Sequence, residues 1–339
     1  MTADERKGTA GTRGRGRFEK ILLWTAVMVC AITSFSYLLV NICMLDEGVT
    51  CMNASRIAGG EVIYRDFFQF ITPLSFMITG FLYKVFGVSF LAGRIFALSV
   101  SLLYLAFVFL VSKKILGDDL FSALSVAVLC QAGFVAWPYP SHHTLANLFA
   151  IISVFFLLRT PSRLNFFLFG GFSALTFWSL QDEGAYLILA SLVFLVFVSR
   201  KKEELAFYAA GGAAFSLPIA AYLIAFVPAG SLYRCLFAYP FAVYHTNPGN
   251  KFDLMHPVKG IIEAWTSGQF RSAPVYTPVA TLTSSFIVLA PFIAAVLLFM
   301  VFYRNRGEKR TNWAMLIFFA SLFGTALHRF APINLMFAS

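Results

Sequence analysis

The sequence predicts an all-α integral membrane protein, a bundle of about nine transmembrane helices, and three observations carry that prediction. The chain is 59% hydrophobic and 17% aromatic but only 12% charged, whereas a soluble domain carries about 25% charged residues. Its apolar residues come in runs of about 17–25, the length that crosses the hydrocarbon. Its basic residues collect in the short connections between those runs, the footprint of cytoplasmic loops against anionic headgroups. The net charge of +10 is therefore assigned to the membrane and not to nucleic acid. Forty Phe residues would not fit inside one soluble core of this size.

Residues 1–20 form a Gly-rich basic tail (Arg6, Lys7, Arg13, Arg15, Arg17, Lys20) expected in the cytoplasm. The run 21–45 is too long for a signal-peptide core and reads as a retained anchor. Further apolar segments follow at 73–88, 90–112, 120–137, 144–159, 165–181, 184–199, 205–227, 279–303 and 311–327. Charge decides whether all of them cross. If 73–88 crosses, the 26 Lys and Arg residues divide 13 inside to 13 outside. If it lies in the interface, they divide 17 to 9, and every short basic connection becomes cytoplasmic. The positive-inside rule selects the second arrangement. The segment itself opens with Pro73, carries Gly80 and Lys84 and stops at Gly87, as an amphipathic interfacial helix does. Residues 21–339 then form one transmembrane domain with outer loops at 46–89 and 228–278. The N-terminus is cytoplasmic, the C-terminus extracytoplasmic, and the protein multi-pass in the plasma (inner) membrane. The apolar run at Leu335-Met336-Phe337-Ala338-Ser339 has the pattern of a truncated chain.

The first outer loop concentrates the polar chemistry. Asp46 and Glu47 sit at the hydrocarbon edge, where charge is disfavoured unless it has a use or a partner. Ala54, Arg56, Ile57, Gly59 and Gly60 follow, then Tyr64-Arg65-Asp66-Phe67, Pro73-Leu74, Phe86-Gly87-Val88-Ser89 and Arg94. In this order the motifs resemble glycosyltransferase family 39, whose members share the GT-C fold and include protein O-mannosyltransferases and lipid A aminoarabinose transferases. The likeness is specific over about residues 40–95 and general in helix spacing to about 230.

The resemblance implies a GT-C-like bundle with juxtamembrane helices in the first outer loop. It implies transfer of a hexose or pentose, with inversion, from a polyprenyl-phosphate donor to a lipid, glycan or protein acceptor. Asp46 falls on the family's Asp-Glu element, where a carboxylate accepts the acceptor's hydroxyl proton or orients that hydroxyl; Glu47 stands beside it. A phosphate leaving group needs cations to stabilise the charge that develops, and Arg56, Arg65, Lys84 and Arg94 are those this loop offers. Tyr64, Asp66, His142, His143, Asp182 and Glu183 are candidates for substrate contact. Two departures stand out. Aminoarabinose transferases place Lys before a Pro-Pro pair, where this chain has Ile71-Thr72-Pro73, and the turn Trp137-Pro138-Tyr139-Pro140-Ser141-His142-His143 lacks the family's frequent Asp.

Plainer readings stand beside these. Asp46 and Glu47 also suit pairing with Arg56 or Arg65, and His142 and His143 suit an ordinary interfacial pair. Gln181-Asp182-Glu183-Gly184 suits a solvated turn, and Asp118-Asp119 a cap for the next helix. Tyr233-Arg234, Tyr239-Pro240, Tyr244-His245 and Trp265 mix aromatics with cations as a sugar site would, but so does any membrane interface. No zinc-like set of ligands surrounds the two histidines, so the sequence indicates no metal or other cofactor, with a divalent metal as the open alternative. Cys51 and Cys235 match no redox spacing and read as free thiols. A lipid-sugar flippase and a truncated, non-catalytic relative are the competing functions. The first would place charges near the bilayer midplane and repeat its topology; this chain places them at helix ends.

Overall fold

The structure is a computed structural model and describes residues 46–131, 140–244 and most of 310–319, with scattered helical positions between 21 and 38. Among these residues the regular structure is helical, apart from one isolated bridge between Ile63 and Phe67. The chain forms two compact units, one of residues 1–61 and 74–160, the other of residues 62–73 and 161–339.

The first unit contains α1 (Asp46–Ala58), α2 (Leu74–Phe86), α3 (Phe90–Leu116), α4 (Asp119–Gln131) and α5 (His142–Leu158). Its helix ends follow local chemistry. Ser89 caps α3 by accepting from the Leu91 amide at 3.2 Å, and Gly117, at φ 69°, closes that helix. The left-handed turn there suits a residue without Cβ. Asp118 caps α4 by accepting from the Phe121 amide at 2.9 Å, the role its sequence position suggests.

Helices α1 and α2 have 13 residues each, about 20 Å of helix, well short of a hydrocarbon core of about 30 Å. They occupy the stretch in which juxtamembrane helices are expected, and α2 coincides with the segment that charge parity removes from the spans. They meet where Gly80 lies under the Ile57 side chain. Tyr83 packs there with Cys51 and Ala54, which Ala58 and Ala92 flank.

The second unit contains α6 (Arg163–Ser179) and α7 (Gln181–Val193), which continues as a π-helical turn over Phe194–Ser199. Then come α8 (Lys202–Phe226) and α9 (Ala229–Tyr233), which runs on in π-helical form through Arg234–Ala238 and Pro240–Tyr244. Helices α6 and α8 approach closely through glycines. A Cβ on Gly170 would clash with the Tyr208 backbone, and one on Gly211 with that of Phe167. Small residues let membrane helices pack backbone to backbone.

The predicted acidic turn at 181–184 is not a turn. Only Leu180 breaks the chain (φ −153°, ψ 110°), and Gln181, Asp182, Glu183 and Gly184 form the first turn of α7. Acidic residues favour that position because it faces unsatisfied amides and the positive end of the helix dipole.

Three described helices are long and apolar enough to cross a membrane: Phe90–Leu116, Gln181–Ser199 and Lys202–Phe226. His142–Leu158 is apolar and 17 residues long, at the lower limit for a span. The predicted span 279–303 lies outside the described residues.

Candidate functional site

Each unit carries part of the polar chemistry. In the first, Asp46 opens α1; its side chain lies outside the described residues. Glu47 is fully buried and grips Arg94 in a two-pronged ion pair, Nε to Oε1 at 2.7 Å and Nη2 to Oε2 at 2.9 Å. The third guanidinium nitrogen donates to the Leu38 carbonyl at 3.1 Å. This pair fastens the start of α1 to α3. Beside it the Tyr83 hydroxyl donates to Cys51 Sγ at 3.1 Å. Burial pushes the Cys51 thiol above its usual range, against the lowering effect of that hydrogen bond. Arg56 bonds Glu61 at 2.8 Å, and Lys84 is exposed in the last turn of α2. His142 and His143 stand side by side in the first turn of α5, their rings tilted by 39° with centroids 4.3 Å apart.

In the second unit, residues 62–73 fold on themselves. Asp66 accepts from the Val62 amide at 2.7 Å, and its two oxygens also take Arg65 Nε at 2.9 Å and Nη2 at 2.8 Å. Tyr64 occupies the left-handed region at φ 67° and is buried, its hydroxyl donating to the Ile71 carbonyl at 2.5 Å. A bulky residue in that conformation is strained and persists only where its surroundings hold it. Burial keeps the Tyr64 phenol well above its usual pKa, so it remains a donor. Ile71, at the position of the aminoarabinose transferases' Lys, is buried.

The same loop faces α9 and its π-helical continuation across a groove of about 580 Å³. Arg65, Asp66 and Phe68 line one side; Ser231, Arg234 and Tyr239 line the other. Phe68 and Phe70 meet the Tyr239 ring at 4.7 and 5.3 Å. Arg234 belongs to a stripe, Ser231, Arg234, Ala238 and Ala242, whose spacing is helical. The sequence contained that signal, but the surrounding aromatics gave it the look of an interface. Trp265 and His245 lie outside the described residues, as do residues 137–139.

Asp182 and Glu183 sit in the first turn of α7; Glu183 is buried and Asp182 partly so. The expected donor cations thus fall into two sets: Arg56, Lys84 and Arg94 in the first unit, Arg65 in the second. Among the described residues no group of three or more His, Cys, Asp and Glu side chains is placed to hold a metal ion.

No protein-family model matches the sequence, and no curated protein matches it. Among solved structures the chain is similar to ArnT from Cupriavidus metallidurans bound to undecaprenyl phosphate, with 17% sequence identity and a TM-score of 0.54. The likeness covers 91% of this chain and 60% of that one, so the chain spans about 60% of the length of the protein it matches. At this identity the likeness speaks for the fold alone: a polytopic, all-helical membrane fold of the GT-C type.

Proposed function

We propose that the protein is a membrane glycosyltransferase of the family 39 kind, moving a sugar from a polyprenyl-phosphate carrier to an acceptor on the extracytoplasmic face. The observation that carries this reading is the groove of the second unit. Its lining joins two cations, Arg65 and Arg234, to the apolar Phe67, Ala238, Ala242 and Val243. A lipid phosphate combines the same two chemistries, a doubly charged head on an apolar tail. Arg suits the head through its planar fork of donors.

In the proposed reaction the acceptor oxygen attacks the anomeric carbon from the face opposite the phosphate. Its proton passes to the Asp46 carboxylate. The bond from anomeric carbon to phosphate oxygen breaks, and polyprenyl phosphate leaves with the electron pair, its charge met by arginine. Glu47 and Arg94 hold the α1 start that carries Asp46. Residues 21–339 act as one transmembrane domain behind a cytoplasmic tail at 1–20, with the C-terminus outside.

The test joins binding to turnover on the purified full chain. Undecaprenyl phosphate binding, read by native mass spectrometry, is expected in the wild type and weakened in Arg65→Ala and Arg234→Ala. Asp46→Asn is expected to keep that binding and lose about 10²–10⁴ in transfer rate, the worth of general base catalysis. A folded Asp46→Asn protein with wild-type transfer removes Asp46 from the chemistry, and a wild type that ignores undecaprenyl phosphate removes the donor class.

A further inference from the structure

Gln181 takes part in none of the chemistry above, yet its amide makes three contacts with the loop that carries Arg65. Its Oε1 accepts from the Thr72 amide at 3.0 Å and from the Thr72 hydroxyl at 3.4 Å, and its Nε2 donates to the Phe70 carbonyl at 2.8 Å. The Thr72 hydroxyl also donates to the Phe177 carbonyl at 2.9 Å, at the end of α6. Within the loop, Gln69 Oε1 accepts from the amides of Phe70 at 2.8 Å and Ile71 at 3.3 Å. The Ile71 carbonyl in turn receives the hydroxyl of Tyr64, the residue just before Arg65. A continuous run of hydrogen bonds therefore leads from the first residue of α7 to the left-handed turn that aims Arg65 at the groove.

We infer that Gln181 is a positioning residue, which fixes the 62–73 loop against the α6–α7 corner and so sets the place of the Arg65 guanidinium in the groove. Two features of the amide suit the task. Gln offers an acceptor and a donor on one planar group, and the loop presents an amide and a carbonyl two residues apart that need one of each. Buried backbone groups are costly to leave unpaired, so losing Gln181 releases the loop instead of leaving it in place with broken bonds. Tyr64 then loses its reason to stay in a strained conformation, and Arg65 moves with it.

The inference rests on the polyprenyl-phosphate reading only for the identity of the ligand, so the experiment has two arms. In the first, hydrogen exchange is measured on the peptides covering residues 62–73 in the full-length protein. Gln181→Ala is expected to speed exchange about tenfold or more, not only at Thr72 but at Tyr64, Arg65 and Asp66, because local opening governs exchange. In the second, undecaprenyl phosphate binding is measured for Gln181→Ala, Arg65→Ala and the double variant. Each single change is expected to weaken binding about tenfold or more, which is roughly 1.4 kcal/mol. The double variant is expected to be no weaker than Arg65→Ala alone, since coupled residues give non-additive effects. Additive losses, or faster exchange confined to Thr72, overturn the positioning role. Faster exchange through residue 66 in Gln181→Ala, together with a wild type that does not bind undecaprenyl phosphate, keeps the clamp and discards the ligand. Gln181→Met, which keeps the length of the side chain and removes both its bonds to the loop, serves if Gln181→Ala does not fold; unchanged exchange at residues 64–66 in that variant overturns the inference.

Discussion

Glu47 and Arg94 show how much one buried pair decides. Their two charges leave water together, and the attraction repays that desolvation only because both oxygens and all three guanidinium nitrogens are engaged. Removing one partner strands the other. Glu47→Gln is expected to destabilise the first unit by about 3–5 kcal/mol, seen as a marked drop in the melting temperature of the detergent-solubilised protein. The joint change Glu47→Leu with Arg94→Met recovers most of the loss, because no unpaired charge remains. A single variant that melts with the wild type shows that the pair does not hold α1 to α3. Neither residue reveals its partner in the sequence, where they stand 47 positions apart. The sequence offered Arg56 and Arg65 as nearer partners for the acidic pair. Arg56 instead reaches Glu61, and Arg65 the adjacent Asp66, each a short-range choice that leaves Glu47 to Arg94.

At the scale of the helix, the backbone-to-backbone approach of α6 and α8 depends on Gly170 and Gly211. Gly170→Ala and Gly211→Ala each drive a methyl into the backbone of the facing helix. Each is expected to cost at least the 1–3 kcal/mol or so of an overpacked core. Gly212→Ala is the control, since a Cβ there meets nothing nearer than the Gly170 carbonyl oxygen at 3.7 Å. Alanine also favours the helix over glycine by up to about 1 kcal/mol, so that variant should melt at or above the wild type. Equal melting temperatures for all three would mean that α6 and α8 do not touch through these residues. Helix ends were legible at Asp118, which announces a cap, and at Pro73 and Gly87, which bound α2. They were illegible where the break was a single ordinary residue, as at Leu180, because nothing local separates a one-residue corner from a short acidic turn. The helix at 229–244 was hidden for a different reason, since Pro228, Gly230 and Pro240 are residues that more often interrupt a helix than occupy one.

For the whole molecule, membrane class was legible because it depends on sums of residues, and charge and hydropathy are sums. The groove was not, because it depends on loop 62–73 meeting residues more than 150 positions later. The orientation of the chain is open to direct measurement. Single cysteines placed at Lys113, Arg163, Lys201 and Lys309 are expected to react with an impermeant maleimide only from the cytoplasmic side, and those at His142 and Trp265 only from outside. Labelling of positions 113 and 163 from outside would mean that α2 crosses the membrane.

The clamp of Gln181 on Thr72 also has a meaning in time. The two residues are 109 positions apart, and a ribosome adding about 5–20 residues per second delivers the second roughly 5–20 s after the first. Throughout that interval the Arg65 loop has been made and the corner that will hold it has not. Helices α1 and α2 emerge before that corner and need nothing from it to meet. The loop between them must wait for α6 and α7 to be made. The part of the molecule that would recognise a lipid phosphate therefore takes shape only after the chain has passed residue 181, although it is encoded near the beginning of the chain.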